Sequence, residues 1–195
     1  MHDHSKRFDP ANLHRLEDPD RPQLFPVDRI LSLAGIKFTM TVADIGAGTG
    51  YFAIPLAKLT APLPLFAVDV STEMLDYLRD KLAQPVMPHN LQLVHGEATA
   101  TNLADACCDV VFLSAVWHEV DDATSALKEF ARVLKPAGRV VLVDWSPTGV
   151  RPPGPPLEHR IALSVVEATL KSARWRVSRA EPINESIYLV VAQRP

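Results

Sequence analysis

From residue 36 onward the chain alternates between two rhythms: short continuous apolar runs, and longer stretches in which apolar residues recur every three or four positions. The runs are Met40 to Ile45, Leu65 to Val70, Leu91 to Val94, Val110 to Leu113 and Arg139 to Val143. Their length and their content of Val and Ile predict strands buried on both faces. Between them, Tyr51 to Leu59 reads as a helix, bent by Pro55, which removes one internal hydrogen bond. A second helix follows Ser71 or Thr72 as N-cap, with Met74, Leu75, Leu78 and Leu82 on one face. A third follows Asp121 or Asp122, with Leu127, Phe130, Ala131 and Leu134 as its stripe and Lys135-Pro136-Ala137-Gly138 as its stop. Strand and helix in alternation predict an α/β fold, a mostly parallel sheet with helices on both faces.

The flanks are less regular. Residues 1 to 25 carry several Pro and Asp and no sustained period, and Val27, Ile30, Leu31 and Leu33 form a short amphipathic helix closed by Gly35. The expected division is therefore an N-terminal leader with capping helices over residues 1–35 and one domain over residues 36–195. Five prolines between Pro147 and Pro156 make a stiff loop after the fifth strand. Ile161 to Leu170 has helical spacing, and Arg174 to Ser178 and Ile187 to Ala192 read as a closing pair of strands.

A chain of 195 residues suits one sizeable core. With 47% hydrophobic and 22% charged residues it is an ordinary globular composition, and no apolar run approaches the roughly 20 residues a bilayer span needs. The first 29 residues lack the apolar centre of a secretory signal, so the expected location is cytoplasmic. A formal charge of −3 supplies no overall attraction for nucleic acid or an anionic membrane, which favours a small-molecule partner. Cys107 and Cys108 are neighbours whose oxidation would strain the local ring, so both are expected as free thiols. His2, Asp3 and His4 have no further spaced ligands, and no metal site is expected.

The densest local signal is Thr41-Val42-Ala43-Asp44-Ile45 running into Gly46-Ala47-Gly48-Thr49-Gly50. A glycine loop at the carboxyl end of a first parallel strand is where doubly wound sheets hold cofactors. Its spacing is G-x-G-x-G, whereas a dinucleotide loop has G-x-G-x-x-G. Asp44, two residues before the first glycine, would repel a pyrophosphate but welcome a ligand carrying an ammonium and a sulfonium. Asp69, at the end of the second strand, is placed to accept bonds from both hydroxyls of a ribose. The rival readings are an NAD(P)-dependent oxidoreductase on a Rossmann sheet and a protein that binds cofactor without turnover.

Five ordered segments together resemble the class I S-adenosylmethionine-dependent methyltransferases, in particular the small ones with a ubiquinone-methyltransferase-like core. They are Val42 to Tyr51, Ala67 to Ser71, Gly96-Glu97-Ala98, Asp109 to Phe112, and Leu134 to Asp144. The resemblance implies a Rossmann-like seven-stranded sheet whose last strand runs antiparallel, with S-adenosylmethionine as cofactor. It implies that Asp44, Gly46, Ala47, Gly48, Gly50 and Tyr51 hold the methionyl part, Asp69 the ribose, and Val70, Glu97 and Ala98 the adenine. Ser114 approaches the methionyl group from the end of the fourth strand. The family often has Asp where Glu97 stands, and a small residue followed by Phe where Cys107-Cys108 stands.

Methyl transfer requires alignment more than any particular side chain. Acceptor-side candidates are His118, which could take a proton, orient the acceptor or be a plain loop histidine, and Trp117, which could wall the pocket or fill the core. Asp144, Trp145, Glu158, His159 and Arg160 flank the proline loop and could shape the acceptor side, though as single residues on a surface loop each is expected to be solvated rather than catalytic. The resemblance implies a lid of N-terminal helices over the cofactor, for which Phe8, Leu13, Leu24 and Phe25 of the leader are the candidates, and the residues themselves leave this open. The acceptor and the atom methylated are not written in the residues.

Overall fold

The computed structural model describes residues 8–148 and 154–195, so His2, Asp3, His4, Pro152 and Pro153 lie outside the described residues. Seven strands form one sheet: β1 (Val42–Ile45), β2 (Leu65–Asp69), β3 (Leu91–His95), β4 (Cys108–Ser114), β5 (Leu134–Trp145), β6 (Arg176–Pro182) and β7 (Ile187–Gln193). Their order is β3-β2-β1-β4-β5-β7-β6, and β7 alone runs against the rest. The helices are α1 (Arg21–Leu24), α2 (Val27–Leu33), α3 (Ala53–Thr60), α4 (Thr72–Leu82), α5 (Ala123–Val133) and α6 (Leu163–Ser172). A seven-stranded sheet with this reversed strand is the one expected.

Alternation along the strands builds a core on each face. Ile187, Leu189 and Val191 of β7 join one cluster, with Phe25, Ile30, Ala53 and Leu56. Tyr188, Val190 and Ala192 join the other, with Leu127, Phe130 and Leu170. The leader thus reaches the first of these cores: the Phe25 ring stands edge-on to Trp145 at 5.1 Å and to Phe52 at 6.4 Å. Of the two proposed caps for α4, Ser71 is the one used, its hydroxyl accepting from the Met74 amide at 3.2 Å. For α5 it is Asp122, which accepts from the Ser125 amide at 2.9 Å.

Three local expectations are corrected. The third helix stops one residue early, at Val133, which is buried in the stripe where Ala131 is only half-buried. Leu134 already pairs with Cys108, so the chain passes directly from helix into ladder. Lys135-Pro136-Ala137-Gly138 lies inside β5, with Ala137 at φ 64° and a register shift opposite. Pro55 falls in the first turn of α3, where amides lack partners within the helix, so its cost is smaller than expected. Finally, β6 begins and ends later than Arg174 to Ser178, because Arg174 turns at φ 65° and Trp175 is buried ahead of it. As the outer strand β6 is mostly exposed, which leaves no apolar alternation to read.

Candidate active site

The carboxyl ends of β1, β2, β4 and β5 open onto one cleft of about 860 Å³. One end is built by the loop after β1. Gly46 and Ala47 donate their amides to the Val68 carbonyl at 2.8 and 3.1 Å, which ties the loop to β2. Asp69, 8% exposed, closes the same turn, with Oδ2 accepting from the Gly48 amide at 2.8 Å and Oδ1 from the Ser71 amide at 2.9 Å. Each carboxylate oxygen has a second lone pair, so both can still accept from a ligand. Burial raises the Asp69 pKa, and the amides of Ser71, Gly48 and Val70 and the nearby His95 work against it.

Gly46, Ala47, Gly48, Tyr51, Asp69, Val70, Glu97, Ala98, Ser114 and His118 all line this cleft. Asp44 and Gly50 do not. Gly50, at φ 84°, faces the protein interior, where a Cβ would lie 2.5 Å from Leu78 Cδ1. Asp44 sits behind the loop at 2% exposure, and burial, with the charge of Asp69 adding, pushes its pKa up to about 8 while Arg21 pulls it down. The Tyr51 hydroxyl is spent on the Phe25 carbonyl at 2.8 Å. Three buried polar atoms have no partner among the described residues: Ser114 Oγ, Thr49 Oγ1 and Arg21 Nε, all from residues lining the cleft. A wall with orphaned donors and acceptors fits a polar ligand better than an apolar one.

At the other end His118 is 6% exposed, in a 3₁₀ turn over Trp117–Glu119. Its Nδ1 lies 2.8 Å from Asp144 Oδ1, and its backbone amide donates to Asp144 Oδ2 at 2.9 Å. Asp144 also accepts from the Trp145 amide at 2.7 Å and is 1% exposed, so the expectation that it is solvated is wrong. The pairing fixes the ring: with Nδ1–H given to Asp144, Nε2 carries the lone pair, 3.8 Å from Glu119 Oε1. Burial works against the imidazolium, but Asp144 and Glu119 outweigh it and hold the His118 pKa above its ordinary value. Burial pushes Glu119 up to about 7, against the pull of His118 and of the Phe8 amide.

Trp117 is in the core at 3% exposure and Trp145 is the tryptophan on the cleft wall. Arg160 is also buried, not solvated: it covers the Trp145 ring at 5.3 Å and bonds the Pro155 and Ser146 carbonyls, stapling the ends of the proline loop. His159 lines the cleft, and Glu158 is exposed as expected. Cys108 is buried in β4, its pKa raised first by that burial and then by Cys107. The sequence reading passed over Arg21 and Glu119; Arg21 is one of several basic residues in the leader, and nothing in the local pattern sets it apart.

The family model for a methyltransferase domain matches residues 43–142, just over half of the chain. A solved S-adenosylmethionine-dependent methyltransferase from Aquifex aeolicus is 30% identical, with a TM-score of 0.90 over 97% of this chain and 100% of that one. The chain belongs to the class I S-adenosylmethionine-dependent methyltransferases. It is also similar to the demethylmenaquinone methyltransferase of Staphylococcus aureus, 34% identical over 119 residues, 60% of this chain. Those residues span 48% of that relative, so the chain covers about half the length of the curated relatives it matches. The [4+2]-cyclase SpnF shares the fold, with a TM-score of 0.74 over 87% of this chain and 80% of its own, at 15% identity. This family membership leaves the oxidoreductase reading without support.

Proposed function

We propose that the protein binds S-adenosylmethionine at the glycine-loop end of the cleft and methylates a small molecule entering from the His118 end. The observation that carries this is the single cleft itself, with Asp69 and the glycine loop at one end and a buried His118–Asp144 pair at the other. When bound, the cofactor supplies a methyl group activated on a sulfonium. Asp69 holds the ribose with its remaining lone pairs, and the rim formed by exposed Val70 and Glu97 and half-buried Ala98 receives the adenine. Ser114 Oγ and Thr49 Oγ1 gain the partners they lack.

His118 Nε2 takes the proton from the acceptor's nucleophile, and Asp144 holds the ring in the tautomer that permits it. Such a base is useful to a hydroxyl or an acidic carbon and idle toward a thioether, so an acceptor that must lose a proton is favoured. The demethylmenaquinone methyltransferase to which the chain is similar is named for a small-molecule acceptor, which supports a small molecule here without fixing which one. Residues 8–35 are the described part of the leader and cover the cleft: Lys81 reaches Glu17 at 3.1 Å, and the Tyr51 hydroxyl holds the Phe25 carbonyl. A cytoplasmic setting belongs to the same reading.

Calorimetric titration with S-adenosylhomocysteine tests the cofactor half. Asp69→Asn keeps the shape but loses the charge-assisted acceptors, so affinity should fall at least about tenfold, or about 1.4 kcal/mol. Unchanged affinity would remove Asp69 from the site. Release of S-adenosylhomocysteine across a panel of phenolic, enolic and amine acceptors tests the transfer. Binding without release on any of them would favour the reading in which cofactor is held without turnover.

A further inference from the structure

Cys107 and Cys108 stand at the amino end of β4, whereas the cleft opens at the carboxyl ends of the strands, and neither cysteine lines it. At about 3.3 Å per residue, Cys108 is about 20 Å along β4 from Ser114 on the cleft wall. Both thiols are free, Cys108 buried and Cys107 half-buried, and their Sγ atoms lie 3.3 Å apart. The backbone holds the pair from both sides: the Ala106 amide donates to the Arg132 carbonyl at 2.9 Å, and Cys108 pairs with Leu134 in the sheet. Asp109, the next residue, is already engaged, its Oδ2 accepting from the Thr41 amide and from Lys135 Nζ, each at 2.8 Å.

The gap between the sulfurs selects the ligand. A disulfide needs them at about 2.05 Å, well inside the observed separation. Two sulfur bonds of about 2.3 Å span about 3.8 Å at a tetrahedral zinc and about 4.6 Å at a linear ion, but about 3.3 Å when they meet near a right angle. Zinc would also need further ligands, and among the described residues no group of three or more His, Cys, Asp or Glu is placed to hold a metal. Burial, with Cys107 adding, keeps Cys108 a neutral thiol, which suits a ligand bound by condensation better than a cation that requires two thiolates.

We propose that Cys107 and Cys108 form a dithiol site for a trivalent organoarsenical, R–As(OH)2, whose arsenic is pyramidal and needs only two sulfurs. Each thiol gives its proton to one arsenic-bound hydroxyl, two As–S bonds replace two As–O bonds, and two waters leave with no change of oxidation state. Cys107 is reached first from solvent, and Cys108 closes the ring with its sulfur already at the required span. The site does not rest on the S-adenosylmethionine reading.

The probe is phenylarsine oxide, which hydrates to the dihydroxy form. The folded protein should take up one phenylarsenic group per chain in native mass spectrometry and lose both thiols to a colorimetric thiol reagent. Ethanedithiol should displace the group, and a monothiol at the same concentration should not. Cys107→Ser, at the half-buried position, leaves a single sulfur and should bind at least about tenfold more weakly, because the second bond is no longer intramolecular. Uptake only after unfolding, two groups per chain, or unchanged affinity in Cys107→Ser overturns the proposal. So does a loss of two hydrogens under diamide without arsenical uptake, which would make the pair a redox couple. Should Cys107→Ser not fold, the stoichiometry on the unaltered protein still decides.

Discussion

His118 gains its chemical character from a residue 26 positions away, Asp144, whose carboxylate accepts hydrogen bonds from its ring Nδ1–H and its backbone N–H at once. His118→Ala should lower kcat on the order of a hundredfold or more, with S-adenosylhomocysteine affinity nearly unchanged, if the ring takes the acceptor's proton. A loss confined to the acceptor KM would reduce His118 to an orienting role. Only the neutral ring can accept a proton, and Asp144 and Glu119 hold the pKa above the ordinary 6.5. The kcat profile should therefore rise with pH along a limb above 6.5, vanish in His118→Ala, and move to lower pH in Asp144→Asn, where the opposing charge is gone. A limb that stays in place in Asp144→Asn would break the assignment. The sequence showed His118 and Asp144 as separate loop residues, because their pairing depends on β4 and β5 lying side by side. A pairing across neighbouring strands has no trace in local periodicity.

The glycine loop shows how one motif serves two physical needs. Gly50 has φ 84° and a neighbour 2.5 Å from where a Cβ would stand, so Gly50→Ala must strain the backbone and displace Leu78 in the core. The expected loss is about 1–3 kcal/mol of stability, read in denaturant unfolding. Gly48 has φ 52° but only Leu16 of the leader nearby, at 3.5 Å, and it opens on the cleft. Gly48→Val should leave a folded protein that no longer binds S-adenosylhomocysteine, and normal binding by that variant would refute the loop's role. The strand–helix alternation was legible because each buried strand is a continuous apolar run bounded by polar or glycine residues. The resemblance supplied the count of seven strands and the reversed last one, which no local pattern carries. What misled was local chemistry with two meanings: Lys135-Pro136-Ala137-Gly138 has the residues of a helix stop, yet the pairing of Leu134 with Cys108 draws it into β5. The exposed edge strand β6 carried too little apolar signal for its bounds to be read.

At the scale of the whole molecule, the cleft concentrates buried acids that the free protein holds at a cost, and ligand binding should relieve it. Asp44 has a folded pKa of about 8 against an ordinary 3.8, so its contribution to stability is full below about pH 4 and is lost as pH rises through about 8. Asp44→Asn removes this dependence. Its Tm should match that of the unaltered protein near pH 4 and exceed it near pH 8.5. Binding should run the other way: a cation arriving in the cleft, across the glycine loop from Asp44, favours the carboxylate, so below about pH 8 the free protein must give up a proton to bind. Titrations of S-adenosylmethionine at pH 7, in buffers of different ionisation enthalpy, should show release approaching one proton per ligand, falling toward zero near pH 9.5. Asp69 and Glu119 also have raised pKa values, so the Asp44→Asn variant is the decisive control. If that variant releases as many protons as the unaltered protein, the charge that welcomes the ligand is not on Asp44.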